Sequence, residues 1–387
     1  MIGVLHVAQP VEGGVAVYVA AVAADQARRG WDVAVACPGR GRLPAELAAL
    51  GVRWLEWEAG RSPGPGVPGE ARRLRRLLGR FRPDAVHLHS AKAGLVGRAV
   101  IRGAVPTLFQ PHGWSWLAAR GATARAALAW ERAATRWTSL LVCVGEGEAD
   151  LARSHGLRGD VTVVRNGVDL GRFRPAGPGV RTAARALLGV PERVPLAVCP
   201  GRVTRQKGQD LLVAAWGRVR AEVPGARLAI VGDGDLRPVL RSCAGPGIAF
   251  ADAVADLRPW YAAADVVVLP SRWEGLPLTA LEALASGRPL VASAVPGLSE
   301  VVTGEVGALV PAGDPAALAE AVAVRLRHPG LAAREGEAGI ARAADFDVRP
   351  ALDRLASLTA AVTPAAGGTG GGCGAGVGSG GGTRVRR

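Results

Sequence analysis

Short apolar runs alternate with longer stretches of helical period along most of this chain. In the first half, 2–8, 32–37, 84–89, 106–110, 139–144 and 161–165 read as strands, with helices between them such as 15–29 and 122–136. The rhythm restarts with strand-like runs at 195–200, 226–231, 265–270, 289–293 and 307–310, and helical patterns near 208–221, 278–286 and 314–327. Apolar strands separated by helices predict parallel sheets covered on both faces, so the chain reads as α/β. The restart predicts two such units, joined by the Pro- and Gly-rich segment Arg172-Phe173-Arg174-Pro175-Ala176-Gly177-Pro178-Gly179. The expected division is a first domain over 1–178, a second over 179–363 that includes terminal helices at 331–362, and a tail over 364–387. The tail is mostly glycine and other small residues. It cannot bury enough apolar surface to offset its ordering entropy, so it is expected to be disordered.

Composition adds an electrostatic expectation. The 387 residues carry a formal net charge of +14, and only Lys92 and Lys207 are lysines among the 47 basic residues. Residues 1–180 hold 24 basic against 14 acidic side chains, whereas 181–387 hold 23 against 19. A basic first half predicts an anionic partner: a phosphorylated substrate, a membrane surface or nucleic acid. Aromatic residues make up 4% of the chain, and no nucleic-acid-binding signature is present, so nucleic acid is not expected. The run Arg72-Arg73-Leu74-Arg75-Arg76-Leu77-Leu78-Gly79-Arg80-Phe81-Arg82 predicts a basic amphipathic helix suited to anionic lipid. Five scattered cysteines form no metal-ligating or disulfide pattern. No metal is expected, and Asp233-Gly234-Asp235 reads as a strand-to-helix turn. The N-terminus enters a strand-like run directly, and no segment approaches 20 apolar residues. Neither a secretory leader nor a membrane span is therefore expected.

Two segments carry candidate chemistry. After the apolar run ending at Leu269 comes Pro270-Ser271-Arg272-Trp273-Glu274-Gly275-Leu276-Pro277, followed by a helical pattern that contains Glu282 and stops at Gly287. A strand end, a glycine loop, a helix start and two carboxylates suit a ligand with both phosphates and hydroxyls. The second segment, Gly201-Arg202-Val203-Thr204-Arg205-Gln206-Lys207-Gly208, also follows a strand-like run and offers three cations to a diphosphate. His87, His89 and His112 lie at predicted strand ends in the first unit, where open α/β sheets place ligands. Lys92 reads as the start of a phosphate-side or acceptor-side helix. Neither Val11-Glu12-Gly13-Gly14 nor Gly232–Arg237 completes a dinucleotide fingerprint.

These elements, with Gly13-Gly14, His112-Gly113 and Asn166-Gly167-Val168-Asp169, resemble family 4 glycosyltransferases of the GT-B fold. The resemblance spans roughly residues 1–360, with the motifs in matching order. It implies two Rossmann-like domains facing each other across a cleft. It also implies transfer of a sugar, with retention of configuration and without a metal cofactor, from a nucleoside-diphosphate sugar. The acceptor would be a lipid-linked sugar, a polysaccharide or a small molecule. By the same resemblance Arg202 and Lys207 hold the diphosphate, Glu274 meets the transferred sugar and Glu282 meets the ribose. Gly13 and Gly14 approach the phosphates and the acceptor, Gly275 and Leu276 complete the donor site, and His112 lies near the donor sugar. His112 and Glu274 are the catalytic candidates. Apart from the resemblance, the scattered cysteines, the basic first half and the run 72–82 make the expected setting the cytoplasm, with the basic domain on the inner membrane face. Two departures are Ala251-Asp252-Ala253, where a glycine is usual, and Gly145, where a serine is common. The competing readings are a nucleotide-sugar epimerase of the same fold, a protein that binds anionic polymers such as nucleic acid, and a binding module without activity.

Overall fold

Runs such as Gly3-Val4-Leu5-His6-Val7-Ala8 are apolar on both faces, so they find their lowest free energy inside sheets covered on both sides. In the computed structural model, which describes residues 1–177 and 179–363, they form two separate parallel sheets. The first contains β1 (Gly3–Ala8), β2 (Asp32–Cys37), β3 (Arg53–Glu56), β4 (Ala85–His89), β5 (Thr107–Gln110), β6 (Leu140–Cys143) and β7 (Val161–Val163), in the order β3-β2-β1-β4-β5-β6-β7. The second contains β8 (Leu196–Pro200), β9 (Arg227–Val231), β10 (Ile248–Ala251), β11 (Val266–Leu269), β12 (Leu290–Ser293) and β13 (Gly307–Val310), in the order β10-β9-β8-β11-β12-β13. The strand order reverses between β1 and β4 in one sheet and between β8 and β11 in the other. Ligands of doubly wound folds bind at the carboxyl ends of strands at such reversals. The domain boundary expected at 178 and the tail at 364–387 lie outside the described residues.

β3 was not among the expected strands. Its sequence, Arg53-Trp54-Leu55-Glu56, lacks an apolar run because it forms the sheet edge and three of its four residues are exposed. The terminal helices do not all stay with the second sheet. After Val168 pairs with Asp347, the helix Val348–Val362 crosses to the first sheet and packs Leu355 against Tyr18, Val22, Leu108 and Leu140.

The basic amphipathic segment is a helix, Val67–Phe81. Leu74 is fully buried and Leu77, Leu78 and Phe81 pack around the same core, while Arg72, Arg73, Arg75, Arg76 and Arg80 are exposed. Its apolar face is therefore spent on the protein interior, and only its cations are offered outward. A helix starts at Ser90, as expected around Lys92, but the Lys92 side chain is held by another part of the same domain. Its Nζ donates to Glu70 Oε2 at 2.9 Å, and both side chains are buried. Losing one partner of such a pair would leave an uncompensated buried charge. No helix among the described residues is long and apolar enough to cross a membrane.

Candidate active site

The two strand-order reversals face each other. Following β1, the chain turns at Glu12 into the helix Gly13–Arg28, whose start has no side-chain cap. Gly13 takes a left-handed φ of 71°, and a Cβ there would lie 4.0 Å from Arg202 Cδ of the second domain. A Cβ on Gly14 would lie 3.8 Å from Leu278 Cδ1. Leu278 opens the helix Leu278–Ala285, whose start also lacks a side-chain cap. Pro277, with extended backbone, is the residue before that helix. Two helix N-termini, one from each domain, thus meet beside Arg202. Free N–H groups and the positive ends of two helix dipoles favour an anion there.

The cationic loop after β8 and the glutamate loop after β11 are joined by hydrogen bonds. Arg272 N donates to Gln206 O at 2.7 Å, Gln206 Nε2 donates to Trp273 O at 3.2 Å, and Arg272 forms a two-pronged pair with Asp210. Gly208, with φ of 70°, lies so close to the carbonyl of Pro270 that no side chain fits between them. Lys207 Nζ donates to Glu274 Oε1 at 2.6 Å, and Ser271 Oγ donates to the same oxygen at 2.6 Å. Arg202 makes no ion pair among the described residues. Burial holds its guanidinium below the ordinary range, with nearby Arg61 adding to the shift and Glu274 and Asp235 opposing it. A bound anion would relieve that cost. Glu282 accepts from the Tyr261 hydroxyl at 2.8 Å, and burial pushes its carboxyl upward.

On the first domain, His112 has a φ of 53°, a left-handed conformation uncommon outside glycine. The neighbouring backbone is tied down by Glu148, which accepts from Gly113 N at 2.5 Å and from Val144 N at 2.8 Å. Burial, opposed by those two bonds, raises the Glu148 carboxyl to about 7. Gly275 packs against this corner: a Cβ there would lie 2.9 Å from Val144 Cγ2 and 3.5 Å from Gly113 N. Asn166 ties the interdomain turn to the same loop, its Nδ2 donating to Leu276 O at 2.6 Å. The structure thus brings Gly13, Gly14, His112, Arg202, Lys207, Glu274, Gly275 and Leu276 to one cleft. Glu282 stands on the helix that opens from it.

Gly145, a departure from the usual serine, has a local explanation. Glu300 of the second domain accepts from Glu146 N at 2.9 Å and from Gly147 N at 2.7 Å. A Cβ at 145 would come within 2.7 Å of the same carboxylate.

Comparison with known proteins then settles the family. Residues 12–172 match the profile described as Glycosyltransferase Family 4, and residues 194–328 match Glycosyl transferases group 1. The chain is 34% identical over 318 residues to D-inositol 3-phosphate glycosyltransferase of Xylanimonas cellulosilytica, covering 76% of this chain and 71% of that one. This chain belongs to the family 4 glycosyltransferases. It is also 33% identical over 327 residues to the lipopolysaccharide core biosynthesis mannosyltransferase LpcC of Rhizobium leguminosarum, covering 77% and 85% of the two chains. As a GT-B glycosyltransferase it shares its fold with Anabaena HepE crystallised with UDP and glucose, with a TM-score of 0.82 at 19% identity over 93% of this chain and all of that one.

Several residues around this glycosyltransferase's cleft were not legible in advance. Glu148 and Glu300 act on backbone N–H groups across long sequence separations, which no local motif announces. His6, His87 and His89 form a buried cluster with ring nitrogens close enough together to hold a metal ion. Their sequence spacing suggests nothing of the kind. A signal existed in the strand period: His6 and His87 are register partners on β1 and β4, and His89 follows at the second position along β4.

Proposed function

We propose that this glycosyltransferase transfers a sugar from a nucleoside-diphosphate sugar, with retention of configuration, to a lipid-linked or growing glycan acceptor, and needs no metal ion. The observation that carries this reading is the meeting of two uncapped helix starts with Arg202, beside the Lys207–Glu274 pair. A diphosphate leaving group gains negative charge as the bond to the sugar breaks. Fixed cations and dipoles aimed at that charge stabilise the transition state without a metal. A bound diphosphate would draw Lys207 away from Glu274 and free that carboxylate to face the transferred sugar. Glu282, one turn inside its helix, would accept from the ribose hydroxyls.

The names of the relatives support the donor and acceptor classes: one is a mannosyltransferase of lipopolysaccharide core biosynthesis, and HepE was crystallised with UDP and glucose. The arginines on the outer face of the helix Val67–Phe81 fit an acceptor reached at an anionic membrane surface, with the enzyme peripheral on the cytoplasmic face. No role for nucleic acid is proposed.

The test begins with a melting-temperature screen against UDP-, GDP- and ADP-sugars, since a ligand bound only by the folded chain raises its melting point. One base class is expected to stabilise the protein. Transfer of an anomerically labelled sugar from that donor is then followed by NMR in the presence of EDTA. Retained configuration with activity intact is the expected result. Inversion, or a loss restored by Mg²⁺ or Mn²⁺, would refute the corresponding part.

A further inference from the structure

Four histidines lie in the first domain behind the cleft, and three of them form an unbroken hydrogen-bonded file. His6 Nε2 meets Gln26 Oε1 at 2.8 Å, His6 Nδ1 meets His89 Nε2 at 3.0 Å, and His89 Nδ1 meets His112 Nε2 at 3.2 Å. His6, His89 and Gln26 are buried, whereas His112 reaches the cleft and is only half-buried. The file has a direction. With the Gln26 amide oxygen toward His6, that oxygen accepts, so His6 carries its proton on Nε2 and leaves Nδ1 as an acceptor; the reversed amide would reverse the file. His89 must then donate from Nε2 and accept at Nδ1, and His112 must donate from Nε2.

We propose that Gln26, His6 and His89 are positioning residues that lock His112 in its Nε2–H tautomer, so that His112 offers Nδ1 as an acceptor to a hydroxyl of the transferred sugar. This rests on the donor site proposed above, whose Gly275 packs against Gly113, the residue after His112. A ring N–H at the same place would repel a hydroxyl that donates and would select a different contact.

Three further features agree. Every ring in the file must be neutral, because a second proton on any of the three would leave an N–H on Nδ1 of His112. Burial favours this: it holds His6 down to about 4 and His112 down to about 3, and it holds His89 well below the usual histidine range. The ring planes also lie within 19° of each other for His6 and His89 and within 27° for His89 and His112, as in-plane N–H to N bonds require. Finally, Tyr18 meets His112 edge-on at 5.0 Å and accepts from Gln110 Nε2 at 3.0 Å, which walls in the other side of the ring. His87 lies tilted against His89 with ring centroids 4.0 Å apart, and neither of its nitrogens is hydrogen-bonded among the described residues, so it packs against the file without joining it.

Two measurements on the full chain test this separately. In the first, two-bond proton–nitrogen correlation spectra of ¹⁵N-histidine-labelled protein are recorded without donor, and each ring is assigned by single substitution. His112 is expected as the Nε2–H tautomer near neutral pH, with Gln26→Met converting it to a tautomer mixture. An Nδ1–H ring at His112, or a spectrum unmoved by Gln26→Met, would overturn the relay whatever the donor is. The second measurement is kinetic. His89→Phe keeps a ring but removes the bond to His112. It is expected to lower kcat roughly tenfold, the equivalent of one hydrogen bond. Binding of UDP, GDP or ADP, whichever the melting screen selects, should stay unchanged. In a His112→Ala background the same substitution should change kcat less than about twofold, because coupled residues are not additive. A full tenfold loss in that background would show a merely structural role and overturn the proposal.

Discussion

Arg202 and Lys207 differ in what they have to lose. Lys207 already holds a carboxylate, whereas Arg202 is part-buried with no ion pair among the described residues. Removing either charge-assisted contact to a bound diphosphate should cost roughly 1.5–3 kcal/mol. Calorimetric titration of Arg202→Ala and Lys207→Ala with the preferred nucleoside diphosphate is expected to show weakening of about tenfold to a hundredfold. Unchanged affinity in both would remove them from the donor site. The two glutamates should separate kinetically. A contact at the reacting carbon strengthens as positive charge develops there, whereas a ribose contact is the same in ground and transition states. Glu274→Gln is therefore expected to lower kcat, and Glu282→Gln mainly to raise the donor KM. The reverse pattern in steady-state assays would exchange the roles.

The buried histidines also set a pH dependence. Their folded-state pKa values lie below that of the unfolded chain, about 4 for His6, about 3 for His112 and well below the usual range for His87 and His89. The unfolded chain binds protons below its ordinary histidine pKa and the folded chain does not, so stability present above about 6.5 is lost as pH falls toward the folded values. Each such group contributes about 1.4 kcal/mol per pH unit in that window. Glu148, raised to about 7, acts in the opposite sense: the folded chain keeps a proton that the unfolded chain releases, so its burial costs most at high pH. Burial raises the carboxyls of Glu131 and Glu282 as well, and four groups outweigh three. The urea midpoint is expected to fall steeply between pH 6.5 and 5, and a flat profile would contradict the buried, neutral cluster.

Among the elements, the strand-to-helix turns line the cleft, and glycines govern how closely they approach. Gly208 combines a left-handed φ of 70° with a backbone carbonyl where a side chain would begin. Gly208→Ala is expected to destabilise the chain by about 1–3 kcal/mol. By separating the cationic loop from the glutamate loop it should also weaken donor binding, measured by urea unfolding and titration together. Wild-type behaviour in both would mean that the two loops need not dock. The elements themselves were largely legible, because apolar period is a local property. β3 escaped because an exposed edge strand has no buried face to impose a pattern. The helix Val67–Phe81 was legible as amphipathic, yet only packing revealed that its leucines face inward and that Lys92 pairs with Glu70.

For the whole molecule, charge distribution is the larger-scale signal. The outward arginines of the helix Val67–Phe81 lack an exposed apolar face, so any membrane attachment there is electrostatic. Each basic residue near an anionic leaflet contributes about 1 kcal/mol, screened within a Debye length. Partitioning onto phosphatidylserine-containing vesicles is expected at low salt, with loss at high salt and in a variant carrying Arg72→Gln, Arg75→Gln and Arg76→Gln. Equal partitioning onto neutral vesicles would count against the surface.

The sequence by itself determined the strand–helix alternation, the restart that makes two units, and the glycine, cation and carboxylate motifs that end individual strands. All of these are encoded over a few residues, as period, turn chemistry and residue type. Only the tertiary structure decided which motifs share a cleft. It brought Gly13 to Arg202, Gly275 to Gly113 and Glu300 to the backbone at Gly147, and it returned the last helix to the first sheet. It also assembled His6 from within β1, His89 from the end of β4 and His112 from the turn after β5. Parallel strands joined by crossover helices place residues some 80 positions apart in register. That register is set by the packing of whole layers, so no local stretch of sequence reveals it.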